Sequence, residues 1–297
     1  MAKKRTALRN RLEALAAGGA GAALARMAPE GAEAFGRALG RAYLRLDERR
    51  QNLARANLAR AFPELPSAGI DSLVVRVFEH FGGLAAELLH AIGHRPEEAL
   101  SRIETEGAEI ARGALASGRG VLFLTGHLGN WEWAALGTGA LGIPTGVIAR
   151  PLDNPLLDAR LTRLRMSTGN FVIAKRDAAR EMLRTLRRGG AIGILNDQRA
   201  RPPDAVTAPF FGQPAATSSA LAKLADRTEA LVVPAAAIRI APARWRLTFE
   251  PALDVRMLPE PERSVEKLTA RFNGILEQMI RRHPEQWLWL HNRWRVD

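Results

Sequence analysis

From about Val121 onward, short apolar runs alternate with helical stretches, a pattern that few folds other than a largely parallel sheet with helices on its faces can satisfy. Val121–Thr125, Thr145–Ala149, Phe171–Ile173, Ala191–Leu195, Leu231–Ile240 and Arg244–Glu250 read as strands. Helices are expected at Trp131–Gly139, Pro155–Ser167, Asp177–Arg188, Ser218–Arg227 and Val265–Arg282. Arg244–Glu250 follows Ala241-Pro242-Ala243 and alternates apolar with polar residues, so it is expected to pair antiparallel with the strand before it. From Met1 to about Leu115 the pattern is helical, broken by turn signals at 62–66 and 93–96. With no internal repeat and no low-complexity linker, residues 1–297 read as one α/β domain with an N-terminal helical layer.

Within this layout, Val121-Leu-Phe-Leu-Thr runs into Gly126-His127-Leu128-Gly129-Asn130 and then a helical stretch opening Trp131-Glu132-Trp133. The strand is apolar throughout, as expected of one covered on both faces. His127 therefore lies at a strand's carboxyl end, where open α/β sheets bind ligands. Residues five apart on one helix diverge by roughly 140°, so His127 and Glu132 are no helical metal pair. With His127 in the turn and Glu132 in the first helical turn, the carboxylate can fold back onto the imidazole, fix its tautomer and raise its basicity. Alternatively, His127 packs locally and Glu132 only favours a helix N-terminus. Backbone N–H groups of Gly129 and Asn130 at the helix start are candidate oxyanion donors.

Two further charged residues are expected at strand ends. Arg150 directly follows Thr145–Ala149 in a loop stiffened by Pro151 and Pro155, which makes it a candidate anion or oxyanion ligand or else a solvated loop residue. Asp197 leaves Ala191–Leu195 in Asn196-Asp197-Gln198, and can contact sugar hydroxyls, pair with Arg150 or simply form a turn. Phe210 and Phe211, in a Pro/Gly-bounded loop that leads to a capping Thr217-Ser218-Ser219, suit either an acyl-chain wall, with Phe211 the candidate, or the core. Trp287, Trp289 and Trp294 stand among basic residues, as an interfacial anchor or as closure of the domain. Gly137-Thr-Gly139-Ala-Leu-Gly142 matches a dinucleotide fingerprint in letters only, since it ends a helix rather than opening one. The other histidines read as packing or surface residues.

Composition limits the chemistry. The absence of cysteine excludes disulfides and thiolate chemistry, and neither a G-x-S-x-G elbow nor a phosphate loop is present. No ligand spacing for a metal is recognisable, so neither metal nor cofactor is expected. A net charge of +12, carried mostly by arginine, calls for an anionic partner, and a part of that excess can reflect coding bias alone. The apolar stretch 14–25, with 12 residues rich in alanine and glycine, is too short to span a bilayer, which takes about 20 residues. Preceded by Lys3, Lys4 and Arg5, it resembles a secretory signal only superficially, because Arg9, Arg11 and Glu13 crowd it. Leu12, Leu15, Leu24, Met27, Phe35, Leu39, Tyr43 and Leu46, interleaved with arginines, fit basic helices that lie in a membrane interface or pack on the protein's own core.

These residues also carry a resemblance. The H-x-x-x-x-E spacing within Gly126-His-Leu-Gly-Asn-Trp-Glu132, the Arg150-Pro-Leu-Asp-Asn-Pro155 loop, the Asp197-Gln198 pair, the Pro209-Phe-Phe-Gly-x-Pro segment, Pro284-Glu-Gln-Trp-Leu-Trp-Leu-His-Asn-Arg-Trp294, and the earlier Asn57-Leu58 and Phe62-Pro63-Glu64-Leu65 are similar to the bacterial lipid A biosynthesis acyltransferases, over roughly 49–295. The resemblance implies a glycerolipid-acyltransferase-like α/β fold. It also implies transfer of a fatty acyl group from acyl carrier protein to a hydroxyl of a phosphorylated glycolipid at the cytoplasmic face of the inner membrane. It makes His127 the general base and Glu132 its orienting partner, and matches Arg150 and Asp197 to the family's substrate-site arginine and aspartate. Family members commonly begin with a more hydrophobic membrane helix than 14–25, so peripheral attachment to an anionic membrane surface through residues 1–66 is expected here. A lysophospholipid or amino-acid lipid acceptor, or water in a thioester hydrolase, are the alternative acceptors. A non-catalytic basic protein is a further possibility, but the aromatic–basic interleaving of a nucleic-acid module is missing, so no nucleic-acid partner is expected.

Overall fold

A computed structural model of the chain describes residues 6–92, 94, 96–174 and 178–294. Lys3, Lys4, Arg5, the first residue of the helix expected at Asp177, the glycine and arginine of the 93–96 turn, and Arg295 lie outside the described residues. The chain opens with four helices, α1 (Ala7–Leu24), α2 (Pro29–Leu44), α3 (Glu48–Ala61) and α4 (Ser67–Ile92). A short α5 (Pro96–Leu100), β1 (Ile103–Glu106) and α6 (Ala108–Ala116) lead into the expected alternation. This runs β2 (Val121–Thr125), α7 (Trp131–Ala140), β3 (Thr145–Ala149), α8 (Pro155–Met166), β4 (Phe171–Ala174), α9 (Ala178–Arg187) and β5 (Ala191–Leu195). Then come β6 (Ala205–Phe210), β7 (Gln213–Ser218), α10 (Ala220–Arg227), β8 (Leu231–Ala241), β9 (Arg244–Phe249) and α11 (Val265–Arg282).

Seven strands form one sheet in the order β1-β9-β8-β2-β5-β3-β4, parallel at every junction except β8–β9. The sheet is thus the mostly parallel, helix-flanked one expected. Two elements were not foreseen. β1, whose Ile103-Glu-Thr-Glu106 is short and polar, lies at the sheet edge, where one covered face suffices. The Pro209–Pro214 segment is the tip of an antiparallel β6–β7 hairpin rather than a loop, with Phe211 at φ 51° in its turn. Beyond the hairpin, Ser219 is the N-cap residue of α10, but no side-chain cap bond forms from it.

Two helices of this layer, α1 and α2, are packed in the opposite sense to a soluble amphipathic helix, whereas α4 buries Leu73, Val77 and Phe78 in the usual way. Along α2 the buried face carries Ala32, Gly36, Gly40 and Leu44, while Phe35, Leu39 and Tyr43 point to solvent, 41–53% exposed. Gly36 and Gly40 meet Gly82 and Phe78 of α4 so closely that a Cβ at any of the three glycines would overlap the opposing backbone. α1 likewise exposes Leu8, Leu12 and Leu15 and buries Ala14 and Gly21. A buried ionic cluster ties this layer to the sheet: Arg239 of β8 lies 2.9 Å from both Glu33 of α2 and Glu87 of α4, and its guanidinium stacks over Trp245 of β9 at 4.2 Å.

Candidate active site

The strand order sets the site. β2 and β5 are parallel neighbours with Thr125 opposite Leu195, so the residues two beyond each, His127 and Asp197, leave the sheet side by side. The imidazole Nδ1–H donates to Asp197 Oδ1 at 2.9 Å. Asp197 Oδ2 accepts from the His127 backbone N–H at 2.7 Å and from Trp287 Nε1 at 2.8 Å. Asp197 is 1% exposed, and its three donors replace the water it has lost. Burial alone would raise its pKa, but the charge and hydrogen bonds of His127 and Trp287 outweigh burial and hold it below the usual carboxylate range. For His127, burial would lower the pKa, yet the charge and hydrogen bond of Asp197, together with the field of Glu132, raise it above that of a free imidazole. The ring is thereby held in one tautomer, with Nε2 available as the base.

Gly129 makes the turn that presents His127. It has φ 61°, and a Cβ there would overlap the carbonyl of Ala237, so only glycine fits. His80 of α4 is fully buried, which lowers its pKa to about 3, and its neutral ring donates from Nε2 to Gly129 O at 3.2 Å. Asn130 caps α7 by accepting from Trp133 N–H through its side chain.

His127 faces a cavity of about 450 Å³. Phe123, Ala134, Val147, Gly193 and Leu195 give it apolar walls, while Thr125, Glu132, Arg150, Arg165 and Gln198 supply polar groups. Such a volume suits part of an acyl or glycolipid substrate. Gln198 Nε2 lies 3.4 Å from His127 Nε2, and the Trp131 ring meets the imidazole at 64°, with centroids 4.8 Å apart. Arg150 is exposed at the rim and has no ion pair among the described residues.

Several expectations need correcting against this geometry. The carboxylate bonded to His127 is that of Asp197, not Glu132. Glu132 accepts a two-pronged bond from Arg165, at 2.8 and 2.5 Å, and one from Trp131 Nε1 at 3.2 Å, and reaches the imidazole only through its charge. Asp197 neither pairs with Arg150 nor reaches into the cavity as a sugar ligand, because its oxygens are occupied behind the histidine. The Gly129 and Asn130 N–H groups are not free for an oxyanion, since they donate to Gln286 O and Ala237 O at 2.9 and 2.8 Å. Phe211 is no acyl wall: it is 5% exposed and packs edge-on with Phe62 and Phe210. Trp287, Trp289 and Trp294 are buried, so they close the domain rather than anchor it in a membrane.

Three residues of the site escaped the sequence reading. Arg165 is one of several arginines on α8, and nothing local marks it. Trp287 reads from the sequence as an interfacial anchor or as closure of the domain, not as a partner of Asp197. His80 sits mid-helix among apolar residues, a setting that reads as core. Among the described residues no cluster of three or more potential ligands could hold a metal ion.

An α/β sheet carrying a histidine–aspartate pair beside a largely apolar cavity defines a protein built to activate a nucleophile next to an apolar substrate. The comparisons with known proteins identify which. A model of the bacterial lipid A biosynthesis acyltransferases matches residues 2–296, and the chain belongs to that family. The lipid A biosynthesis lauroyltransferase of Escherichia coli (strain K12) is 30% identical over 268 residues, 88% of this chain and 84% of that protein. The palmitoleoyltransferase of the same organism is 27% identical, covering 87% and 82%. The solved 1-acyl-sn-glycerophosphate acyltransferase of Thermotoga maritima aligns over 84% of this chain and 98% of that one, with a TM-score of 0.41 and 14% identity. The chain is accordingly an acyltransferase of lipid A biosynthesis.

Proposed function

We propose that the protein moves a fatty acyl group from the thioester of acyl carrier protein to a hydroxyl of a lipid A precursor or related glycolipid, with His127 as general base. The observation that carries this reading is the Nδ1–Asp197 bond, which leaves Nε2 facing the cavity. The hydroxyl oxygen attacks the thioester carbonyl while its proton passes to Nε2. The tetrahedral intermediate then expels the thiolate, which takes that proton back, so the C–O bond replaces the C–S bond and the base is restored. A positioned base of this kind typically supplies about 10²–10⁴-fold. Asp197 acts as a positioning residue. Glu132, braced by Arg165, adds a negative field that favours the transient imidazolium. With the turn N–H groups spent, Arg150 and Gln198 are the side chains at the cavity suited to the thioester oxygen or an acceptor phosphate.

The same reading places the protein peripherally on the cytoplasmic face of the inner membrane through residues 1–66. No helix among the described residues is long and apolar enough to cross a bilayer. The outward leucines of α1, the Phe35, Leu39 and Tyr43 row of α2 and Leu46 just beyond it suit an interfacial seat, and the net charge of +12 suits both an anionic surface and an acidic carrier protein. We treat the chain as one domain, since the Arg239 cluster joins the helical layer to the sheet. The test is incubation with acyl-carrier-protein thioester and lipid A precursor, followed by mass spectrometry. Acylated glycolipid that disappears with His127→Ala supports the reading. Free fatty acid as the only product, or transfer that persists in the variant, overturns it.

A further inference from the structure

A second and larger cavity, about 820 Å³, lies between α1 and α8, away from His127. Its walls include Gly18, Gly21, Ala22 and Ala25 from the α1 side and Leu157 and Leu164 from α8. Arg26, Arg160 and Arg163 also line it, and no carboxylate does. Arg160 and Arg163, three apart on one helix face, form no ion pair or hydrogen bond among the described residues. Neighbouring acids are engaged elsewhere: Asp158 accepts from Leu152 N–H, Glu13 from Asn154, and Glu98 faces His94. Both helices also display large apolar side chains to solvent, Leu8, Leu12 and Leu15 on α1 and Leu156 and Met166 on α8.

An apolar floor with unpaired guanidinium groups is the chemistry of an anionic amphiphile, because guanidinium binds phosphate by paired hydrogen bonds while methyl and methylene surface covers a chain. We propose that this groove binds one anionic glycerophospholipid of the membrane, its phosphate at Arg160 and Arg163 and a chain along the alanine–glycine floor. The site differs from the acyl-transfer cavity and shares only α8 with it, the helix whose Arg165 braces Glu132. Its location presumes the membrane seat proposed above, which vesicle co-sedimentation tests by itself.

The groove is tested with dihexanoylphosphatidylglycerol, held below its critical micelle concentration and titrated into the full chain by calorimetry. Dihexanoylphosphatidylcholine and inorganic phosphate serve as the other two ligands. Saturable binding of one phosphatidylglycerol per chain is expected, weakened about tenfold or more by Arg160→Glu/Arg163→Glu and also by Ala22→Trp, which fills the groove and leaves every arginine in place. Phosphatidylcholine should bind about tenfold more weakly, and phosphate at matched concentration should not compete. Equal affinity for the two lipids, unchanged binding to Ala22→Trp, or full competition by phosphate overturns the proposal. Ala22 is exposed, so its variant remains informative if the double charge reversal fails to fold. Vesicle binding without short-chain binding would retain the membrane seat and discard the groove.

Discussion

The sheet and the first two helices bury opposite kinds of side chain. β2 hides Val121, Leu122, Phe123 and Leu124 between helices, and its apolar residues gain by leaving water. α2 hides alanine and glycine and turns Phe35, Leu39 and Tyr43 outward. A helix in water has no reason to do this, since each large apolar side chain left exposed forgoes about 1.5–3 kcal/mol. Where lipid is the solvent, the apolar face needs no burial and small residues let helices approach closely. The two regions thus follow different packing rules, and His127 and Asp197 sit on the one built around a buried apolar core.

The comparison can be broken at several points. His127→Ala should lower kcat by about 10²–10⁴-fold with the circular dichroism spectrum unchanged; near-normal turnover would remove the histidine from the chemistry. Asp197→Asn should cost about 10²-fold or more in rate. It should also move the acid limb of the kcat/KM profile. The base must be neutral, and Asp197 raises the imidazole pKa, so the native rate falls as pH drops through a value above that of a free imidazole, and the variant's limb lies lower. An unshifted limb would show that the aspartate does not act on the base. Glu132→Gln leaves the largely buried Arg165 without its counter-charge and should lower stability by about 3–5 kcal/mol, measured by denaturant unfolding; full stability with lost activity would instead assign Glu132 a direct chemical part.

The helical layer admits subtler tests. Gly40→Ala forces α2 off α4 and should cost about 1–3 kcal/mol, read as a fall in Tm. Leu39→Glu should change stability by less than about 0.5 kcal/mol yet weaken binding to anionic vesicles, because about half of the side chain already faces solvent, 53% exposed. A variant that unfolds the protein but binds vesicles normally would reverse the interpretation of that face.

Much of the fold could be read from the chain. β2, β3, β5 and α11 begin and end where periodicity and capping residues place them, because each is a strong local signal. β1 and the β6–β7 hairpin were missed for a physical reason: Ile103-Glu-Thr-Glu106 holds its place by pairing with β9, and Gln213–Ser218 by pairing with Ala205–Phe210, neither by its own apolar pattern.

The candidate site divides the same way. That a histidine stands at the carboxyl end of a buried strand follows from the residues themselves, since an apolar run ending at a glycine turn has few other conformations open to it. Which carboxylate serves it does not follow, for Glu132 is five residues away and Asp197 is seventy. Proximity along the chain favours Glu132; placing β5 rather than β3 beside β2 brings Asp197 to the ring and leaves Glu132 to Arg165. Local sequence fixes what each segment is, because helix and strand periodicities are short-range. Partners separated by many residues are chosen only when the sheet assembles, since strand order depends on the packing of the whole molecule.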